Sequence, residues 1–151
     1  MTTLFKKLNY KDQSAILILN SPASFKDELT LMKDFTTIKK FTKGLKEITF
    51  VLAFVKSEIE IEKSINQILP LLINDGVFWF AYPKGTSKKY KVNISRDNGW
   101  ETLGNNGFET VRAVSIDEDW SALRFRKVEN IKSITRNKKI AISKVGKERA
   151  V

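Results

Sequence analysis

Ile48-Thr-Phe-Val-Leu-Ala-Phe-Val55 carries one hydroxyl and no charge. Its neighbours in pattern are Ala15-Ile-Leu-Ile-Leu19 and Val77-Phe-Trp-Phe-Ala-Tyr82. A half-buried strand alternates apolar and polar residues, whereas these three runs are apolar at every other position and between. Strands of that kind are covered on both faces, as in the middle of a parallel sheet. The expectation is that Ala15–Leu19, Thr49–Val55 and Val77–Ala81 are neighbouring parallel strands, none of them at an exposed edge.

The segments between them read as crossovers. After the first run, Ser21 can cap and Pro22 can open a helix over roughly Ala23–Asp34, with Phe25, Leu29 and Met32 on one face. Phe35–Phe41 reads as a weaker strand, interrupted by Lys39 and Lys40. Only Thr42–Glu47 then precede Ile48, although a parallel crossover usually needs about a dozen residues. Either that strand is shorter or a stretched loop replaces the usual helix. Ser57 and Glu60 have capping-box spacing, and the helix they open turns Ile61, Ile65, Ile68, Leu69 and Leu72 inward until Pro70 ends or kinks it. Asn74-Asp75-Gly76 reads as a stop before the Val77 strand. A polar loop, Pro83–Lys91, precedes a helix near Ser95–Asn106, loosened by Gly99 and Gly104. Glu109–Ile116 and Ser121–Val128, joined by Asp117-Glu-Asp-Trp120, form an antiparallel hairpin. Alternating strands and helices place the chain in the α/β class.

Composition narrows the chemistry. The chain has 151 residues, 42% of them hydrophobic, enough for one packed domain. With no cysteine and no histidine, disulfides, thiolate nucleophiles, Cys/His zinc sites and imidazole general bases are excluded. No apolar run is long enough to span a bilayer, and the N-terminal segment lacks the apolar stretch of a secretory signal, so a cytoplasmic protein with no membrane partner is expected. Asp117, Glu118 and Asp119 read as turn acids rather than a cation site, and no metal is expected.

Trp79-Phe-Ala-Tyr-Pro83-Lys84, with Val114-Ser-Ile-Asp117-Glu-Asp-Trp120-Ser-Ala-Leu-Arg124-Phe some thirty residues on, resembles a bacterial family of small domains that has no established activity. The D-x-x-W-S-x-L-R-F block is the more specific part, and the resemblance covers about residues 4–128. It implies a shortened, methyltransferase-like Rossmann fold: a mostly parallel sheet with helices on both faces, closed by a C-terminal antiparallel hairpin. One strand beyond the second would be omitted, which accounts for the short 42–47 joint. Residues 1–128 are then a single Rossmann-like domain and 129–151 a basic extension.

A methyltransferase of this fold follows its first strand with a glycine-rich turn that lets backbone approach the cofactor. Here the turn is Leu19-Asn20-Ser21-Pro22-Ala23-Ser24, without glycine and with one N–H removed by proline. Lys39-Lys40-Phe41 stands where an acid would be wanted for ribose hydroxyls. No cofactor and no catalytic residue are therefore expected. The leading expectation is a non-catalytic binding or interaction module on a truncated methyltransferase-like scaffold. Ligands of open α/β sheets settle beyond the strand carboxyl ends, so Asn20, Ser21, Ser57, Tyr82 and Lys84 are the candidate crevice for a small-ligand binder or enzyme. Lys84 supplies a point charge suited to phosphate or carboxylate.

Charge supports a further alternative. Lysine and arginine total 27 against 17 acids, a formal +10. Residues 129–151 hold seven bases and two acids, half of that excess. A nucleic-acid-associated protein would use Lys88, Lys89, Arg136, Lys138 and Lys139, each lysine releasing a counterion at a phosphate. The basic tail could instead meet a protein partner. Its scattered isoleucines cannot offset the entropy of ordering it alone, so disorder is expected unless it docks, and truncation after Glu129 should change thermal stability little.

Overall fold

The computed structural model describes residues 1–131. It holds one six-stranded sheet in the order β2-β1-β3-β4-β6-β5. Its strands are β1 (Ala15–Leu19), β2 (Thr37–Lys39), β3 (Ile48–Phe54), β4 (Leu72–Pro83), β5 (Phe108–Ser115) and β6 (Trp120–Lys127). β2, β1, β3 and β4 are parallel; β6 runs antiparallel to β4, and β5 to β6. The helices are α1 (Thr3–Lys7), α2 (Lys26–Met32), α3 (Glu58–Ile68) and α4 (Glu101–Asn105).

The three apolar runs are adjacent strands, β1, β3 and β4, and both sheet edges lie elsewhere. Alternate residues serve two cores. Leu17, Leu19, Val51, Ala53, Phe78 and Phe80 meet Ile61, Ile65 and Ile68 of α3 and Leu103 of α4. Ile16, Ile18, Phe50, Leu52, Phe54, Trp79 and Ala81 meet Phe5 of α1, Phe25 before α2, and Leu29 and Met32 of α2. Helices thus cover both faces of a mostly parallel sheet, a Rossmann-like α/β fold, and β6–β5 is the antiparallel hairpin at its end. The parallel order is a doubly wound sheet without its outermost strand.

The short joint has a simple resolution. β2 is three residues, not seven, and pairs only with Ala15–Leu17, the first half of β1. Lys40–Glu47 then starts from mid-sheet, and eight extended residues span up to roughly 27 Å, enough to return to Ile48. Leu45 packs on the α3 core along the way.

Four local expectations are corrected. Ser21 is not the helix cap: Ala23–Phe25 is a 3-10 turn capped by Pro22 without a side-chain hydrogen bond, and α2 follows it. Asn74-Asp75-Gly76 does not stop the chain but lies inside β4, where Ile48 opposes Leu72 and Phe50 opposes Val77. The extra residues bulge out, with Asp75 at φ 56°; Leu72 is therefore a strand residue and Leu69 only half-buried. The helix expected from Ser95 begins at Glu101, because Gly99 sits at φ 109° and a Cβ there would come within 2.6 Å of Ile94. The last strand ends at Lys127, and Val128 opens a 3-10 turn. The expectations for residues beyond 131 lie outside the described residues.

Candidate functional site

At the carboxyl ends of the strands the chain turns four times. After β1, Asn20 adopts φ 57°, the left-handed conformation that asparagine tolerates where a nucleotide-binding turn would use glycine. After β3, Ser57 caps α3: its Oγ accepts from the Glu60 N–H at 3.2 Å, while Glu60 Oε1 accepts from the Lys56 N–H at 3.1 Å. The carboxylate returns one residue earlier than in the usual capping box, and Ser57 is occupied with the helix.

The loop after β4 is tied to the hairpin. Lys84 N–H donates to the Asp119 carbonyl at 2.8 Å, and Lys84 Nζ donates to Ser115 Oγ at 2.6 Å. Ser87 is 1% exposed. Its hydroxyl donates to Asp119 Oδ1 at 2.7 Å and accepts from the N–H groups of Lys89 and Tyr90. Asp117 Oδ1 accepts from the N–H groups of Asp119 and Trp120, closing the hairpin turn. The two aspartates of this joint are engaged in shaping backbone.

This anchoring lays Tyr90 over the strand ends. Phe25 packs on Phe54, Phe54 on Trp120 and Trp120 on Tyr90, with ring centroids 5.0, 5.1 and 5.1 Å apart. A row of four aromatic rings therefore fills the α2 side of the strand ends. Trp120 is buried, yet its Nε1–H has no acceptor among the described residues. Outside the row stand two ammonium groups, Lys56 Nζ at 4.8 Å and Lys89 Nζ at 5.5 Å from the centre of the Tyr90 ring. Lys88 and Lys91 are exposed on the same loop, and Lys91 Nζ donates to the Ser87 carbonyl.

The five crevice candidates are dispersed. Asn20 and Ser21 line an open groove of about 640 Å³ with Lys40, Lys43 and Gln67, on the side where a complete crossover would supply a helix. Lys84 lines a separate cavity of about 200 Å³ with Tyr90 and Asn93. Tyr82 is a core residue, 6% exposed, edge-on to Trp100 at 5.8 Å. Ser57 lines neither space. Lys88 and Lys89 are exposed, whereas Arg136, Lys138 and Lys139 lie outside the described residues. Sequence reading missed Lys56, Tyr90 and the Ser87–Asp119 bond; the basic residues flanking Tyr90 were the available signal.

On the α1 face of the hairpin a second charged group assembles. Arg126 binds Asp75 bidentately, Nε to Oδ1 at 2.9 Å and Nη2 to Oδ2 at 2.7 Å, and this hydrogen bonding raises the arginine above its ordinary range. Arg124 donates from Nη1 to Asn9 Oδ1 at 3.3 Å. Burial, reinforced by the neighbouring charge of Arg126, pushes the Arg124 guanidinium below its ordinary range. Among the described residues no helix is long and apolar enough to cross a membrane.

No protein-family profile matches the chain, and no curated protein does. Among solved structures it is similar to a protein of the NADB-Rossmann superfamily from Streptococcus agalactiae, at 11% identity and a TM-score of 0.42, over 84% of this chain and 68% of that one.

Proposed function

We propose that the chain is a non-catalytic binding or interaction module on a shortened methyltransferase-like scaffold, with its contact surface on the lysine-bearing loop over the strand ends. The observation that carries this reading is the aromatic row Phe25–Phe54–Trp120–Tyr90, which occupies the strand-end space with the chain's own side chains. A fold can persist while a site is lost, so the reading rests on the site rather than the scaffold. Calorimetric titration with millimolar adenosylmethionine tests it. No saturable heat is expected, and clear saturation would overturn it.

The Lys56–Tyr90–Lys89 group favours a second, more specific reading, association with a nucleic acid. Lysines exposed around one ring offer phosphate contacts, and such contacts release counterions. Binding to mixed-sequence RNA or DNA should then weaken steeply with salt. Replacing Lys56 and Lys89 together by glutamine should flatten the slope of log K against log [salt] by about 1–2. A slope unchanged by the substitutions would remove this surface from the interaction. The Asn20–Ser21 groove, flanked by Lys40 and Lys43, is the place where a small anionic ligand would bind if the module has one.

A further inference from the structure

The inference concerns the α1 face of the β-hairpin, away from the lysine loop. Arg112 of β5 lies directly opposite Arg124 of β6, and Trp79 of β4 lies opposite Arg124 on its other side. Directly paired residues share a face, so Trp79, Arg124 and Arg112 form one row across three strands. Arg126, two residues beyond Arg124, shares that face, and Glu109 opposes it.

Like charges directly opposite on neighbouring strands are destabilising, and the nearby Asp75 offsets the Arg124 charge only in part, since burial, Arg126 and Arg112 still leave the guanidinium below its ordinary range. Asp75 is taken by Arg126 through two hydrogen bonds. Glu109 is 1% exposed and has interactions of its own. Neither Arg112 nor Arg124 has a carboxylate within ion-pair distance among the described residues. Arg124 is half-buried beside Trp79, and its Nε–H is buried with no acceptor among the described residues. Among the described residues its side-chain hydrogen bond goes to a neutral amide oxygen, that of Asn9, held by a left-handed φ of 66° just after α1. A guanidinium presents donors in a planar fork suited to two oxygens of one anion. Here two arginines are paired across neighbouring strands, neither has a salt-bridging carboxylate among the described residues, and one Arg124 donor is unmade.

We propose that Arg112 and Arg124, with the Asn9 amide beside them, form a binding site for a phosphoryl group. A phosphomonoester carries close to two negative charges near neutral pH and three acceptor oxygens, matching two guanidiniums where a single carboxylate would match one. It would accept from the exposed Arg112 and from the half-buried Arg124 guanidinium, relieving the repulsion between the strands. The site stands apart from the lysine loop and does not depend on it.

The test is titration of the full chain with inorganic phosphate, read by the arginine Nε–Hε resonances and by thermal stability, against acetate at matched ionic strength. Phosphate should move the Arg124 and Arg112 Nε–Hε signals saturably and raise the melting temperature by about 3 °C or more at concentrations well above Kd. Acetate should do neither. Arg112→Gln, at an exposed position that does not threaten folding, should abolish both responses, and the double glutamine variant of Lys56 and Lys89 should keep them. Equal responses to acetate, unmoved Arg124 signals, or a response surviving in Arg112→Gln would overturn the proposal. Phosphate binding lost with the two lysines but kept without Arg112 would assign it to the loop and also refute this site.

Discussion

Trp79 and Trp120 lie on the same face of the same sheet, both 2% exposed or less, and their surroundings differ. Trp79 sits beneath the end of α1, where its Nε1–H donates to the Leu8 carbonyl at 2.8 Å. Trp120 sits beneath the loop after β4, between Phe54 and Tyr90, and its Nε1–H meets no acceptor among the described residues. A buried donor left unmade costs about 1–3 kcal/mol. The Trp79 indole is therefore satisfied, whereas that of Trp120 is left unmade beneath a polar, basic loop, as is the Arg124 Nε–H on the strand beside Trp79. Unsatisfied groups of this kind mark where a fold retains something other than its best packing.

The widest separation between the two regions should come from the same substitution in each. Trp79→Phe removes a satisfied hydrogen bond, strands the Leu8 carbonyl and leaves a void. It should cost about 3 kcal/mol, or roughly 6–12 °C in melting temperature. Trp120→Phe deletes an unsatisfied donor, which offsets much of its packing loss, and should cost about 1 kcal/mol or less. Equal losses in thermal denaturation would break the comparison.

Ser87→Ala is the next largest. It frees the N–H groups of Lys89 and Tyr90 and the Asp119 carboxylate, and should cost about 1–2 kcal/mol. Amide exchange at Lys89 and Tyr90 should quicken sharply while the amides of β3 keep their protection. Uniform loss of protection would mean that the loop is part of the global unfolding unit.

Smaller still, Asp75→Asn breaks the Arg126 pair, which lies near the surface. A loss of about 1 kcal/mol or less is expected, shrinking further in high salt. The smallest effect belongs to α2. Burial raises the Glu28 carboxyl above its ordinary range, partly opposed by its hydrogen bond with Thr2. The folded state thus holds this proton more tightly than the unfolded chain. Its stabilising contribution is present below the unfolded carboxylate pKa and is lost as pH rises through the folded one. Glu28→Gln should remove that downward slope on the acid side, and an unchanged pH profile of stability would exclude Glu28 as its source.

Much of the fold was legible because its signals are local. Unbroken apolar runs announce strands buried on both faces, and Ile61, Ile65 and Ile68 share a helical face. The Asp117–Trp120 joint leaves room only for a hairpin. The errors fall where long-range pairing overrides such signals. Asn74-Asp75-Gly76 has turn chemistry, yet β4 carries it as a bulge because Leu72 finds Ile48 across the sheet. Tyr82 ends an apolar run, and its burial against Trp100, set by pairing with Ser121, is a long-range feature that the run alone does not show. For the charged groups, Arg124-x-Arg126 already places two arginines on one face of a strand. That Arg112 opposes the first, while Asp75 hydrogen-bonds the second, depends on register.

Legible from the residues alone were the α/β class, the three central strands, the hairpin, the Ser57 cap, the lack of cysteine and histidine and the basic character of the Lys84–Lys91 loop. These follow from composition and from periodicity over a few residues, which local backbone geometry converts directly into structure. Long-range packing alone shows that four aromatic rings close the strand ends, that the crevice candidates separate into different spaces, and that two arginines pair across strands with no salt-bridging carboxylate among the described residues. Those features join side chains from distant parts of the chain, and their meeting depends on strand order and on registers set by the packing of both cores together.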